Sequence, residues 1–171
     1  RVGVQGHHRA TVQGRWDALA LRERALCDRA SRQDAQRGLN YRKEEDMEHT
    51  VKSYRDLVAW QRARELVRET YLLTAAFPAG ERFGLVSQMN RSAVSIPSNI
   101  AEGYGRATTQ DYLHFLRIAR GSAYELETQL VLAQDLGLCT EERGLRVQVV
   151  LQEEIRILQG LIAALERKIE K

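Results

Sequence analysis

An all-α fold, an antiparallel up-down-up-down four-helix bundle over residues 47–171, is predicted by three observations. The chain of 171 residues holds only two prolines and 6% aromatic residues, while Leu, Ala, Arg and Glu dominate, a mix that favours helix over strand. Apolar residues recur at helical spacing in four successive stretches, most regularly in Leu151, Ile155, Leu158, Ile162, Leu165 and Ile169, where steps of four and three alternate. The segments between these stretches are short, which makes sequential helices antiparallel neighbours.

Residues 1–46 read differently. They begin at Arg1, are rich in arginine and glutamine, and show a short helical pattern only at Trp16, Leu19, Ala20, Glu23 and Leu26. Weak order is expected here, as in an upstream extension or a misassigned start before Met47; a basic arm contacting nucleic acid is the sharper alternative. The charge supports the division. Residues 1–46 hold ten Lys/Arg against seven Asp/Glu, whereas residues 47–171 hold sixteen of each, so the bundle itself has no net charge. A nucleic-acid role therefore requires local clustering of cations. Two cysteines, Cys27 and Cys139, do not make a disulfide framework, and a reducing cytoplasm is the plain expectation. No apolar run approaches the ~18 residues of a membrane helix.

Each helix has its own signals. Ser53, with Asp56 three residues on, is a capping-box pair opening a first helix that runs to about Phe77, with Trp60, Ala63, Val67, Tyr71 and Thr74 as its buried face and Pro78-Ala79-Gly80 as its stop. The second runs from about Glu81 to Gly103. Leu85, Met89, Ala93, Ile96 and Ile100 form its core stripe, Pro97 bends it, and Gly103 and Gly105 end it. Thr108 or Thr109 opens the third, Gly137 closes it, and Tyr112, Leu116, Ala119, Ala123, Leu126, Leu130 and Ala133 are its core stripe. Gly121, in the middle of that helix at a cost of ~1 kcal/mol relative to Ala, suggests close approach of another backbone. Thr140 opens the fourth.

Two sets of residues exceed what a bundle needs. The first is apolar: Leu113, Tyr124 and Val131 lie beside the core stripe of the third helix, and Leu57, Val58 and Leu72 flank that of the first. They are either a wide core boundary or a subunit contact. The second is the polar row Gln88, Arg91, Ser95, Asn99 and Glu102. It reads as a solvated face, as an interhelix or intersubunit network in which Arg91 meets Glu125, or as a nucleic-acid surface. The phosphate-binding candidates are Arg106, Arg117 and Arg120, with Lys52, Arg55, Arg62, Arg64 and Arg68 on the first helix; interspersed acids make a solvated face the plainer reading of them.

Catalytic and metal motifs are weak. His7, His8, His49 and His114 are scattered, and Asp111 with His114 gives one Asp-x-x-His without the second half of a di-metal site. Gly103-x-Gly105 follows a helix rather than a strand, so it is not a phosphate loop, and no Gly-x-Ser-x-Gly elbow occurs. No enzyme, metal or cofactor is expected.

The run Ser95-Ile96-Pro97-x-Asn99-Ile100-Ala101-Glu102-Gly103-Tyr104-Gly105-Arg106 closely resembles the signature of the four-helix-bundle proteins encoded in intervening sequences of bacterial 23S ribosomal RNA genes. The match continues in Tyr54-Arg55-Asp56-Leu57-Val58-Ala59-Trp60-Gln61 before it, and in residues 115–127 and 133–137 after it, covering roughly residues 52–168 in chain order. That family resembles in turn the accessory variability proteins of diversity-generating retroelements. The resemblance implies a non-enzymatic adaptor that associates with RNA or RNA–DNA, a homopentameric ring in which the surplus apolar residues are the contact, and a reverse transcriptase as partner.

Overall fold

The computed structural model describes residues 51–170, which form four helices and two 3₁₀ turns with no strand among the described residues. The N-terminal extension, its Trp16–Leu26 pattern, Cys27, His7, His8 and His49 lie outside the described residues.

Helix α1 spans Val58–Thr74, α2 Leu85–Tyr104, α3 Thr109–Asp135 and α4 Glu141–Ile169. Each helix packs on its neighbour in sequence and α1 packs on α4, which closes the bundle. Paired residues show the directions. From Gly103 against Tyr112, through Ser95 against Ser122, to Arg91 against Glu125, numbers fall along α2 as they rise along α3. From Gln134 against Gly144, through Tyr124 against Gln159, to Arg117 against Glu166, they rise along α4 as they fall along α3.

The expected first helix is split. Ser53 does form a capping box, its Oγ accepting the Arg55 amide and Asp56 accepting the Ser53 amide, but the box opens a 3₁₀ turn, Tyr54–Asp56. Leu57 is then extended (φ −72°, ψ 128°), which drives its side chain into the core before α1 begins. The buried face of α1 is also rotated by about one residue from expectation: Ala59, Ala63, Leu66, Thr70, Leu73 and Thr74 are buried, Trp60 and Val67 are half-buried and Tyr71 is exposed. Two parallel rows compete on this helix, and the one with the small residues Ala59, Ala63 and Thr70 is the one that is buried. A second 3₁₀ turn, Ala79–Phe83, replaces the expected first turn of α2, and the Glu81 carboxylate accepts the Leu85 amide.

Helix α2 keeps the expected stripe, with Met89, Ala93, Ile96 and Ile100 fully buried, and continues through Pro97. Thr108 caps α3, accepting the Asp111 amide, and all seven predicted core residues of α3 are buried. Gly137 closes it with φ +68°, the left-handed conformation that glycine adopts without strain. Thr140 caps α4, accepting the Arg143 amide. Leu151, Ile155, Leu158, Ile162 and Leu165 are buried, Ile169 is exposed, and a second buried row, Val147, Val150, Ile157, Leu161 and Ala164, serves the other neighbour. A helix touching two neighbours needs this wider apolar face.

The expectation for Gly121 is corrected. A Cβ there meets nothing within 4 Å, whereas a Cβ on Gly103 falls 2.8 Å from both Phe115 Cβ and Tyr112 Cδ2. The close approach of two helices lies at Gly103, where α2 crosses the first turns of α3. Leu57 and Leu113 are likewise core residues, not surplus surface, and Val58 is a half-buried residue packed against that core. The extended backbone at Leu57 turns its side chain inward, and Leu113 lies beside Tyr112 where the buried face of α3 is wide enough to hold both.

Candidate nucleic-acid interface

Contacts between helix ends assemble one end of the bundle. The Tyr54 ring, before α1, lies 6.3 Å from the ring of Tyr104 at the end of α2. Gly103 abuts Tyr112 and Phe115 at the start of α3, and Arg117 bonds Glu166 near the end of α4 at 2.7 Å. Lys52, Arg55, Arg64, Arg106 and Arg117 therefore gather toward this end, although they stand far apart in sequence, whereas Arg62 reaches Glu153 in the middle of α4.

Their partners separate them. Arg62 is half-buried and bridges Glu65 and Glu153 at 2.5 and 2.9 Å, tying α1 to α4. Arg68 pairs with Glu69 at 2.6 Å, Arg117 with Glu166, and Arg106 with Glu102. Those four cations each have a carboxylate partner within the chain. Lys52, Arg55, Arg64 and Arg120 pair with no carboxylate among the described residues; the first three are exposed and Arg120 is half-buried. Arg55 and Arg64 lie over aromatic rings instead, with guanidinium carbons 5.7 Å from the Tyr54 centroid and 5.0 Å from that of Trp60. Arg106 lies over Phe115 at 4.8 Å. At exposed sites such contacts are worth about 0.5–1 kcal/mol and leave the charge intact.

The aromatic partners are what the sequence reading missed. Tyr54 and Trp60 pack edge to face, 5.1 Å between centroids, and Tyr104 joins them. The spacing of Tyr54-Arg55 and of Trp60 with Arg64 one turn later is visible in the chain; the contact with Tyr104, fifty residues on, is made only by folding.

The polar row of α2 turns toward α3. Ser95 and Ser122 hydroxyls lie 2.9 Å apart, Asn99 Nδ2 donates to Ser95 Oγ and to its carbonyl, Arg91 meets Glu125 at 3.6 Å, and Gln129 donates to Glu125. The interhelix network thus holds Arg91, Ser95, Asn99 and Glu125, while Glu102 stands outside it, paired along its own helix with Arg106. Asp111 is bonded by the Thr108 hydroxyl at 2.6 Å and the His114 ring rests edge-on against Phe115. Of the surplus apolar residues, Leu72, Tyr124 and Val131 are 58%, 42% and 50% exposed. No helix among the described residues is long and apolar enough to cross a membrane.

The fold and this end together define a four-helix-bundle protein with a cationic, aromatic surface. The chain belongs to the family of 23S rRNA-intervening sequence proteins, whose family model matches residues 55–160. No curated protein matches the chain.

Proposed function

We propose that this protein is a non-enzymatic, oligomeric adaptor that associates with RNA or RNA–DNA through the bundle end bearing Lys52, Arg55 and Arg64, and that it serves a reverse transcriptase as accessory protein in the cytoplasm. One observation carries the nucleic-acid part: among the candidate cations, those three are exposed and pair with no carboxylate among the described residues, and all three stand at the end where aromatic rings are also gathered. The family's description, which names a ribosomal RNA intervening sequence, supports the same class of partner. The oligomer, a pentamer by resemblance, is supported by Leu72, Tyr124 and Val131, large side chains left about half exposed; full burial of such a side chain contributes roughly 1.5–3 kcal/mol, of which about half remains to be gained at each.

A structural bundle without a nucleic-acid role is the second reading. Four of the eight candidate cations are already paired with carboxylates, and residues 47–171 carry no net charge. Titration of the full chain with RNA and RNA–DNA duplexes at several salt concentrations separates the two. Backbone-directed association gives log affinity falling linearly with log salt. Undetectable binding at low salt establishes the structural reading.

A further inference from the structure

Resting on the nucleic-acid reading above, we propose that the corner formed by Tyr54, Trp60 and Tyr104 is a base-stacking platform for unpaired nucleotides, so that the protein selects single strands over duplex. The rings are held at steep angles, 75° between Tyr54 and Trp60 and 66° between Tyr54 and Tyr104. In an edge-to-face pair one ring sets its edge on the other's face, so the partner covers neither face of the edge-on ring nor the far face of the other, and faces are what a base needs. All three rings are half-buried, anchored in the bundle and still reached by solvent.

What lies over two of these rings is a side chain that can move. Arg64 sits over Trp60 and Arg55 over Tyr54; both arginines are exposed, and neither is held by a carboxylate among the described residues. A cation on an exposed ring is weakly held, and a base stacked on the same face gains more than the cation gives up. The displaced guanidinium remains beside the bound nucleotide, where its phosphate is the natural partner. Each ring–arginine pair thus offers a face for a base and a charge for its backbone. Paired strands cannot use it, because their bases are stacked on each other and the deep, narrow major groove of an RNA duplex excludes side chains. Duplex reaches only the cations.

The test uses the full chain carrying Trp16→Phe, which leaves Trp60 as the sole tryptophan of the two. It is titrated with a single-stranded RNA, the DNA strand of the same sequence, and the RNA duplex. Single strands bind roughly tenfold or more tighter than duplex and quench Trp60 emission saturably. Quenching by both sugars assigns the platform to the bases; quenching by RNA alone assigns it to ribose strands. Trp60→Leu lowers single-strand affinity roughly tenfold and leaves duplex affinity unchanged, while Trp60→Phe retains most of it. Should Trp60→Leu fail to fold, the quenching and the Trp60→Phe variant carry the same test. Equal affinity for single strand and duplex, or unchanged Trp60 emission on binding, overturns the platform and leaves phosphate-directed binding standing. No binding to any of the three overturns the nucleic-acid reading and the platform with it.

Discussion

The hydroxyls of Ser95 on α2 and Ser122 on α3 lie 2.9 Å apart, and Asn99 donates to the same Ser95 oxygen at 3.0 Å. Ser95 is therefore the hub of the network between the two helices. Replacing it with alanine strands the buried Ser122 hydroxyl and should cost about 1–3 kcal/mol, whereas Ser122→Ala leaves Ser95 still bonded to Asn99 and should cost about 0.5–1.5 kcal/mol. Urea unfolding of the two variants checks the order; a larger loss for Ser122→Ala contradicts it. One turn away, Arg91 and Glu125 are 72% and 46% exposed, so Arg91→Ala should cost under about 1 kcal/mol.

Two glycines should respond with opposite signs. Gly103→Ala forces a Cβ to within 2.8 Å of Tyr112 and Phe115 and should destabilise by about 1–3 kcal/mol. Gly121→Ala meets open space in the middle of a helix and should stabilise by about 0.5–1 kcal/mol. Thermal unfolding of both reads this directly, and a stabilised Gly103→Ala would place the crossing of α2 and α3 elsewhere.

Burial raises the pKa of the Cys139 thiol above its usual value of 9.0. The native state then keeps its proton where the unfolded chain gives it up, so this contribution is fully present below about pH 9 and is lost as pH rises through the higher native value. Stability measured from pH 7 to 10 should fall less steeply in Cys139→Ala than in the parent. In a Cys27→Ser background, the thiol should also react with an aromatic disulfide reagent far more slowly in folded than in unfolded protein.

Self-association should depend on Tyr124 and Val131. Sedimentation of the parent at micromolar concentration should show a species several times the chain's 19.5 kDa, and Tyr124→Glu with Val131→Glu should give a folded monomer. Leu113→Glu should instead unfold the protein, because that side chain is in the core. A parent that sediments as a monomer removes the case for a ring.

Salt dependence distinguishes the cations at the candidate interface. Alanine at Arg55 or Arg64 should weaken nucleic-acid binding about equally for all sequences and reduce the slope of log affinity against log salt by about one. Arg62→Ala should leave the slope unchanged, since Glu65 and Glu153 already occupy its guanidinium. An equal slope change for Arg62 would mean its ion pairs open in the complex.

The core stripes of α2, α3 and α4, the Thr108 and Thr140 caps and the Gly137 stop were legible in the chain, because each depends on spacing and side-chain chemistry within a few residues. So was the Arg91–Glu125 pair, which follows once a short turn sets the register between two helices. Which apolar row of α1 faces inward was not legible, since two rows had the same period and only packing against α2 and α4 chooses between them. For the same reason Leu57 and Leu113 could not be told from surface residues, nor Gly103 singled out over Gly121 as the point of contact. The candidate interface divides likewise. Its cations are written in the sequence, but whether each keeps its charge depends on carboxylates such as Glu153 and Glu166, which folding brings to Arg62 and Arg117 from 91 and 49 residues away. Local pattern determines which residues form a helix and carry charge; only packing among four helices decides which charges and ring faces remain open to a partner.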